Sequence, residues 1–391
     1  MKLRWQKKKP VHTLAVALAL LLLLALILPG CTTGAQAQTP AAKANQGWGP
    51  SAGKGGAAAE DDDDTPAAVP VMTISENGVH TLSGNIDGQV LVTASNVTLI
   101  LDGATINSPD GPAILGDDGD GNDTLQNLTI ELRGENTLTA GIKHGIQGKD
   151  HLTITGNGSV DITAVKDGLH AGDALYVTSG IIHVLESYEG MEAPLIEISG
   201  GTSVVHASDD GVNAASDDRS VIPALKISGG TLTIYAGSDG IDSNGTLDIT
   251  GGTVAVFINA PRDGDTFDVD GQTNILPTIF SANAIPAGAK VSLQDVFGKT
   301  LWETTAQYEA TSFALTLPGL TDGTLYSLAL NAFAPTAITA TTTVQGMRMG
   351  GGMGGRGGFA TPPDGAPGTM PSAPPAGPNG GGRVPRGDMQ R

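Results

Sequence analysis

The sequence has a single cysteine, Cys31, among its 391 residues, and few aromatic or basic side chains. One cysteine cannot form an intramolecular disulfide, so disulfides do not stabilise the fold. Only 4% of the residues are aromatic, and 21 are lysine or arginine against 40 that are aspartate or glutamate. A strongly acidic surface repels the nucleic-acid backbone and attracts metal cations. The composition therefore excludes nucleic acid as a partner and favours cations.

Long apolar runs are rare, and the longest opens the chain. Residues 1–31 combine a basic stretch with an apolar segment from Val11 to Leu28 and end in "LILPGC". This pattern resembles a bacterial lipoprotein signal, in which the cysteine, here Cys31, receives the lipid and becomes the new N-terminus. An uncleaved membrane anchor is the alternative, because an apolar run of 18 residues is only marginally long enough to span a bilayer. Both interpretations predict an extracytoplasmic chain attached to the cell membrane.

The rest of the chain is more acidic than the whole once residues 1–31 are left out. These residues carry five of the 21 basic residues and none of the 40 acidic ones, which leaves 16 basic residues and a formal charge of −24. Residues 32–70 and 346–391 have no apolar period and are rich in glycine, proline and small residues. Such segments cannot build a core, so they predict a disordered tether and a disordered tail.

A repeat of about 20 residues fills the region between the tether and the tail. Each copy has an alternating strand, a glycine corner, a second alternating strand and an acidic turn, as in "KISGGTLTIYAGSDGID". Ten residues separate the corner glycine from the turn glycine in four successive copies: Gly158 to Gly168, Gly180 to Gly190, Gly201 to Gly211 and Gly230 to Gly240. A period of this length without helical segments predicts an all-β fold, a right-handed parallel β-helix over residues 71–274.

Residues 275–345 break the repeat and alternate with period two between short turns. They predict antiparallel strands that form a small cap over the C-terminal edge of the stacked repeats, since an open edge invites association with other chains. A separate small β-sandwich is the alternative interpretation.

Stacking the repeats would place their acidic turns about 4.8 Å apart. A first column then contains Asp110, His144, Asp167, Glu189, Asp210, Asp239 and Asp263, and a second column, three residues on, contains Gln147, His170, Glu192, Asn213 and Asp242. Unit charges at this spacing repel by about 1 kcal/mol in water and about 3–4 kcal/mol at an effective dielectric constant of 20. The columns would strain the fold unless cations lie between the repeats.

Calcium suits such columns because it takes six to eight oxygen ligands in irregular geometry. The predicted calcium ligands are Asp167, Glu189, Glu192, Asp210, Asn213, Asp239, Asp242 and Asp263. Imidazole is a poor calcium ligand, so His170 predicts a weaker or differently shaped site beside Asp167. The alternative is that Asp-Gly merely makes good turns and the acids are solvated. The loop "GDDGDGNDT" at 116–124 is a second acidic cluster, which could bind metal or be disordered.

The repeat resembles a known family: calcium-binding parallel β-helix carbohydrate-binding proteins of bacterial cell surfaces, described from cellulolytic clostridia. The resemblance covers roughly residues 72–345 and rests on the "ISGGT" corner and the acidic turn. It implies calcium ions along one face, binding of cellulose and more strongly of acidic sugars such as polygalacturonate, and no demonstrated hydrolysis. The resemblance implies that the predicted residues from Asp167 to Asp242 are calcium ligands. It implies no such role for His144, which does not match the turn pattern.

Three functions follow from these features. The first is non-catalytic, calcium-dependent binding of an acidic polysaccharide by a monomer, with Lys166, Tyr188 and Lys143 as the predicted substrate-binding residues. Tyr188 is the one candidate for stacking on a sugar because no tryptophan falls in the repeats. The second is a polysaccharide lyase, related in fold to pectate lyases, which would use calcium and a lysine base, Lys166 or Lys143. The third is a structural surface protein that calcium makes rigid.

Overall fold

The structure is a computed structural model that describes residues 69–117, 125–260, 264–331 and 334–344. The segment with Cys31, the tail from residue 345 onward, nearly all of the predicted tether, most of the 116–124 loop and Asp263 lie outside these residues. The described residues form β-strands and connections without a helix, so the all-β prediction is confirmed. Among them no helix is therefore long and apolar enough to cross a membrane.

Thirty strands run through the described part of the chain. In order they are β1 (Met72–Ile74), β2 (Gly78–Asp87), β3 (Val90–Val92), β4 (Asn96–Ser108), β5 (Ile114–Gly116), β6 (Asn127–Arg133), β7 (Glu135–Ala140), β8 (Ile146–Gly148), β9 (His151–Gly156), β10 (Ser159–Ala164), β11 (Leu169–Ala171), β12 (Ala174–Val177), β13 (Ile181–Ser187), β14 (Met191–Glu192), β15 (Leu195–Ile198), β16 (Thr202–Ala207), β17 (Val212–Ala214), β18 (Ala224–Ile227), β19 (Thr231–Ala236), β20 (Ile241–Ser243), β21 (Thr246–Ile249), β22 (Thr253–Ile258), β23 (Phe267–Val269), β24 (Thr273–Ile275), β25 (Thr278–Ser281), β26 (Lys290–Gln294), β27 (Thr300–Thr305), β28 (Ser312–Thr316), β29 (Leu325–Leu330) and β30 (Thr336–Thr339).

One sheet of nine short strands gathers the segment that follows each turn. Its order is β1-β3-β5-β8-β11-β14-β17-β20-β23, and every neighbouring pair is parallel. Each strand therefore pairs with the equivalent strand of the preceding and the following repeat. Residues at the same place in the repeat become neighbours across this sheet.

A second, larger sheet of 17 strands contains two series of parallel pairs. One series runs β2-β4-β6-β9-β12-β15-β18-β21-β24. The other runs β4-β7-β10-β13-β16-β19-β22, and the 13-residue strand β4 belongs to both. The pairing again joins each strand to its equivalent one repeat away.

The core consists of the alternate apolar residues of these strands. Leu152, Leu175, Ile196, Leu225 and Leu247 are paired in register from strand to strand, and all are fully buried. Burying a side chain of this size contributes about 1.5–3 kcal/mol. Because one repeat cannot bury its own apolar face, the stack of repeats is the stable unit.

Residues after Ile275 switch to antiparallel pairing, as predicted for this region. Strand β28 pairs antiparallel with β22 and β25, and β27-β26-β29-β30 form a separate antiparallel sheet. A second apolar cluster joins the parallel strands to the antiparallel ones. In it, the ring of Phe257 stacks on that of Tyr235 with centroids 5.0 Å apart, and its centroid lies 4.8 Å from that of the tilted Phe313 ring. Strand β28 thereby covers β22, the last strand of its parallel series.

The glycine of each acidic turn lies where two repeats approach most closely. A Cβ atom at Gly211 would collide with the side chain of Ile234 and come within 2.6 Å of the carbonyl oxygen of Gly240. Equivalent collisions, each with a Val side chain and a carbonyl oxygen of the next repeat, meet a Cβ at Gly168, Gly190 and Gly240. The close approach of the repeats therefore requires glycine at these four turns.

We expect Gly211→Ala to lower the thermal midpoint of unfolding by several degrees, because overpacking costs about 1–3 kcal/mol and one of the atoms met is backbone. Calorimetry of Gly211→Ala and of the unaltered chain measures the shift. Equal midpoints for Gly211→Ala and the unaltered chain would contradict the packing.

Candidate functional site

The nine-stranded sheet carries a row of polar side chains, called here the strand row. Its members occupy the same place in successive strands: Gln147, His170, Glu192, Asn213, Asp242 and Asp268. Neighbours in this order are paired directly, since the strands are parallel and in register. Before Gln147 the row becomes apolar, because Gln147 pairs with Leu115. The polar part of the strand row thus begins at Gln147. It contains all members of the predicted second column and one more residue, Asp268.

A second row, called here the turn row, lies at the residue before each turn glycine. Its register follows from backbone hydrogen bonds that repeat along the stack: Gly145 N to Asp167 O, Gly168 N to Glu189 O, Gly190 N to Asp210 O, Gly211 N to Asp239 O and Gly240 N to Asp265 O. The members are His144, Asp167, Glu189, Asp210, Asp239 and Asp265. Asp263, which the turn pattern predicts here, lies outside the described residues, and the register assigns this place to Asp265.

The turn row also differs from the predicted first column at its N-terminal end. Ile114 pairs with Ile146, so the residue aligned with His144 is Pro112. Asp110, which the sequence places in the first column, lies two residues earlier. The turn row therefore begins at His144, and the acidic part begins at Asp167.

Three groups of carboxylates form between adjacent repeats. In each group three oxygen atoms, one from each side chain, lie within 4.8 Å of one another: Asp167, Glu189 and Glu192; Glu189, Asp209 and Asp210; Asp210, Asp239 and Asp242. Consecutive groups share a residue, Glu189 or Asp210. The six predicted carboxylate ligands with described positions are thus brought together, and Asp209 joins them.

The backbone holds the acidic turns in place. Asp210 Oδ1 accepts a hydrogen bond of 2.8 Å from the backbone N–H of Asp239, and Asp239 Oδ1 accepts one of 2.5 Å from Asp265. Asp210 and Asp239 therefore each cap the turn of the next repeat with one carboxylate oxygen.

Burial and the charges of neighbouring carboxylates raise the pKa values of these carboxyl groups. Burial, followed by the charges of Glu192, Asp167 and Asp210, raises the pKa of Glu189 to about 9. Burial also raises the pKa of Asp239 to about 8, of Asp242 to about 7 and of Asp210 to about 6, with neighbouring aspartates adding to each shift. Without a counter-charge, part of the row therefore keeps protons at neutral pH.

Asn213 supplies an amide in the middle of the strand row. Its Nδ2 group donates hydrogen bonds of 3.1 Å to both carboxylate oxygens of Glu189. Its Oδ1 atom is buried and accepts no hydrogen bond from the described residues. A buried oxygen without a donor is costly unless a cation or water meets it.

Two histidines occupy the N-terminal end of the two rows. His144 Nδ1 and His170 Nδ1 lie 2.8 and 3.0 Å from the same atom, Asp167 Oδ2, and His170 Nδ1 is also 3.2 Å from Glu192 Oε2. Burial alone would raise the pKa of Asp167, but interactions with His144 and His170 hold it well below its usual range. Burial would lower the pKa of His170, yet the two carboxylates raise it to about 9.

The predicted sugar-contacting residues form a third row beside the turn row. Lys166 N donates to Lys143 O at 2.8 Å, Tyr188 N to Lys166 O at 2.7 Å, and Asp209 N to Tyr188 O at 2.9 Å. Lys143, Lys166 and Tyr188 are all half-buried. Interaction with Asp209, then burial, raises the pKa of the Tyr188 phenol. These residues therefore flank the carboxylates rather than face them across a cleft.

A groove of about 910 Å³ opens beside the strand row. His170 and Glu192 of the strand row line the groove, together with Tyr176 and His151. The insertion that follows β17 adds Asp217 and the largely exposed Ile222. The groove combines apolar, aromatic and acidic surface. The insertion, "ASDDRSVIP" at 215–223, interrupts the period of the repeat, and the sequence gives no sign of its place beside the groove.

Comparison with known proteins identifies a family for this chain. The family model of carbohydrate-binding domain-containing proteins matches residues 70–296, more than half of the chain. A solved structure, "Structure of the polysaccharide lyase-like protein from C. thermocellum, Gadolinium derivative", has a TM-score of 0.46 and 25% identity, over 55% of this chain and 91% of that one. The curated proteins give no match. The chain belongs to the family of carbohydrate-binding domain-containing proteins.

Proposed function

We propose that this protein binds an acidic polysaccharide, of the polygalacturonate type, through calcium ions held by the turn and strand rows, without cleaving it. The observation that carries the proposal is the series of carboxylate groups that share ligands from one repeat to the next. A chain with 40 acidic and 21 basic residues repels a polyanion, so a bridging cation is needed. Membership of a carbohydrate-binding family supplies the class of ligand.

The proposal includes a right-handed parallel β-helix as the scaffold. Its support is the pairing of each strand from β1 to β24 with its equivalent one repeat away, in three parallel series. Parallel strands joined by crossovers are right-handed in almost all proteins. In such a scaffold equivalent turns stack about 4.8 Å apart, the spacing of strands in a sheet.

Calcium fits the donor atoms of the carboxylate groups. Ca–O distances are about 2.3–2.6 Å, so two ligands on opposite sides of one ion lie about 5 Å apart at most. The oxygens of each carboxylate group lie within 4.8 Å of one another, so a single ion can touch all three. The unpartnered Oδ1 of Asn213 is a further oxygen ligand of the kind that calcium takes.

Protein atoms do not complete these shells. Each group offers three side chains, whereas calcium takes six to eight oxygens. Water or a carboxylate of the sugar would fill the remaining places. The groove beside Glu192 has a volume of about 910 Å³, and Tyr176 offers an aromatic ring there. A polyuronate in this groove would present a carboxylate to a calcium ion held by the group of Glu192.

A polysaccharide lyase is the second candidate, because Lys166 directly precedes Asp167 of the carboxylate row. A lyase needs a base that removes the proton α to the uronate carboxyl, while calcium acidifies that proton. Lys143 and Lys166 both have polar partners of their own. A structural protein that calcium makes rigid is the third candidate.

One binding experiment separates the three functions. The full chain is passed over immobilised polygalacturonate with calcium and then with excess chelator, and the eluate is monitored for ultraviolet absorbance of unsaturated uronides. We expect calcium-dependent retention without new absorbance. Methyl-esterified polygalacturonate, which lacks the carboxylates, is the control and should not be retained. Retention that survives the chelator would contradict the proposal, as would no retention at all; new absorbance would identify a lyase.

We also propose that the protein acts as a monomer outside the membrane and is anchored there by a lipid on Cys31. The support is the signal-like sequence before that residue. Mass spectrometry of the N-terminal peptide from a bacterial host should find residues 1–30 removed and a lipid on the cysteine. Cys31→Ala should release the chain from the membrane fraction; a chain that stays bound would indicate an uncleaved anchor instead.

A further inference from the structure

The N-terminal end of the two rows has a different chemistry from the carboxylate groups. His144, Asp167 and His170 place two imidazole nitrogens and one carboxylate oxygen within 4.8 Å of one another. Calcium prefers oxygen and binds imidazole poorly, whereas zinc and its neighbours in the transition series take histidine nitrogen readily. A cluster dominated by imidazole therefore selects a different cation from the rest of the row.

The distances already approach those of a metal centre. In a tetrahedral zinc site, ligands at about 2.0–2.1 Å from the ion lie about 3.3 Å apart. His144 Nδ1 is 2.8 Å and His170 Nδ1 is 3.0 Å from Asp167 Oδ2, so small outward shifts of the side chains suffice. The two imidazole rings face each other with centroids 4.3 Å apart and an angle of 31° between their planes. A carboxylate oxygen of Glu192, 3.2 Å from His170 Nδ1, is available as a fourth ligand.

A second observation comes from His144 alone. Its side chain is 5% exposed, and its Nδ1 atom, though close to Asp167, makes no hydrogen bond of regular geometry to the described residues. His170 Nδ1, by contrast, is hydrogen-bonded to both Asp167 and Glu192. A simple histidine–carboxylate network accounts for His170, but the buried Nδ1 of His144 lies 2.8 Å from Asp167 Oδ2 without a hydrogen bond of regular geometry.

We propose that His144, Asp167, His170 and Glu192 form a binding site for zinc or a similar divalent transition metal, distinct from the calcium ions of the carboxylate groups. Asp167 and Glu192 would be shared with the first of those groups. The ladder of cations would thus begin with a nitrogen-ligated metal and continue with oxygen-ligated calcium. Because His170 and Glu192 also line the groove, the metal would lie at its wall.

The test measures Zn²⁺ binding to the full chain in a large excess of Ca²⁺ and without any sugar, so that its outcome is independent of polysaccharide binding. We expect one equivalent of Zn²⁺ to bind, and Co²⁺ in its place to give visible absorption bands typical of nitrogen ligation. His144→Gln and His170→Gln should each weaken Zn²⁺ binding by more than the ~10–100-fold that loss of an outer-shell partner causes.

His183→Gln is the matched control. His183 Nδ1 lies 2.8 Å from Asp161 Oδ1, the same distance as in the cluster, but in the larger sheet and with a single carboxylate. This variant should bind Zn²⁺ as the unaltered chain does. Far-ultraviolet circular dichroism checks that all variants are folded, and His170, which is more exposed than His144, is the safer substitution.

Crystals of the unaltered chain grown with Zn²⁺ and Ca²⁺ make the test independent of folding in the variants. Anomalous diffraction at the zinc edge should give a peak between His144 and His170. A peak elsewhere, displacement of Zn²⁺ by equimolar Ca²⁺, or equal Zn²⁺ affinity in the histidine variants and the control would overturn the proposal.

Discussion

Asp210→Asn is expected to weaken calcium binding at two sites at once, by about tenfold or more at each. Asp210 contributes an oxygen to two of the carboxylate groups, one with Glu189 and Asp209 and one with Asp239 and Asp242. Its pKa of about 6 leaves it ionised at neutral pH, so the substitution removes a full charge. Opposite unit charges about 4 Å apart attract by about 4 kcal/mol at an effective dielectric constant of 20.

The same substitution should have the opposite effect on the metal-free chain. Asparagine retains an oxygen that can accept the hydrogen bond from the backbone N–H of Asp239, so the turn stays intact. Removing the charge relieves repulsion with Asp209 and Asp268. The thermal midpoint of Asp210→Asn should therefore be equal to or above that of the unaltered chain in chelator, and below it in calcium.

Calorimetric titration with Ca²⁺ and paired thermal melts measure both effects. Asp161→Asn is the control, because Asp161 is a carboxylate of the larger sheet that pairs with His183 and belongs to neither row. It should leave calcium binding unchanged. If Asp210→Asn destabilised the chain equally with and without calcium, Asp210 would be a structural residue of the turn and not a metal ligand.

Stability of the metal-free chain is expected to fall as the pH rises from 7 to 9. In that window the folded chain retains protons on Glu189 and His170, each with a pKa of about 9, and on Asp239, with a pKa of about 8. The unfolded chain has already lost them, because glutamate, aspartate and histidine ordinarily titrate at or below about 6.5. The folded state thus binds more protons, and unfolding becomes easier as they are removed.

Calcium should reduce or remove this dependence of stability on pH. A bound ion replaces the protons of Glu189 and Asp239, so the loaded carboxylates stay ionised throughout the window. Binding should release protons at pH 7 and become tighter as the pH rises to 9. Thermal melts at pH 7, 8 and 9, with calcium and with chelator, measure the slopes. Parallel curves in the two conditions would indicate that calcium does not bind these carboxyls.

The two rows could be predicted because the repeat length fixes which residues are neighbours. Ten residues from corner to turn in four copies leave little freedom, so His170, Glu192, Asn213 and Asp242 fall in one row as the spacing indicates. The calcium ligands from Asp167 to Asp242 were chosen from this spacing and from the family resemblance. Their role as ligands stays a prediction.

Departures from the sequence pattern occur where the repeat changes length. The connection before β23 has eight residues, against four in the preceding repeat, so Thr266 takes the place of the turn glycine and Asp265, two residues after the predicted Asp263, takes the place of the turn acid. The turn before β5 aligns Pro112, and not Asp110, with His144. Consecutive residues in a turn give no periodic signal, so a shift of two positions is invisible in the sequence.

His144 was excluded because it does not match the acidic turn. The pattern compares residue types at one place in the repeat, whereas the contact with Asp167 and His170 arises between two repeats and two rows. Asp209 was overlooked for the same reason, since its carboxylate reaches the group of Glu189 from the neighbouring turn position. Two-row clusters become visible only when the register of both rows is known.

A crystal structure with Ca²⁺ and a short galacturonate oligosaccharide tests the central claim most directly. The account predicts calcium ions between successive turns, held by the three carboxylate groups. It also predicts an uncleaved oligosaccharide with a carboxylate that completes the shell of the ion bound by Glu192, the group member that lines the groove. Calcium shells filled by protein and water alone, with the sugar bound elsewhere or absent, would contradict it.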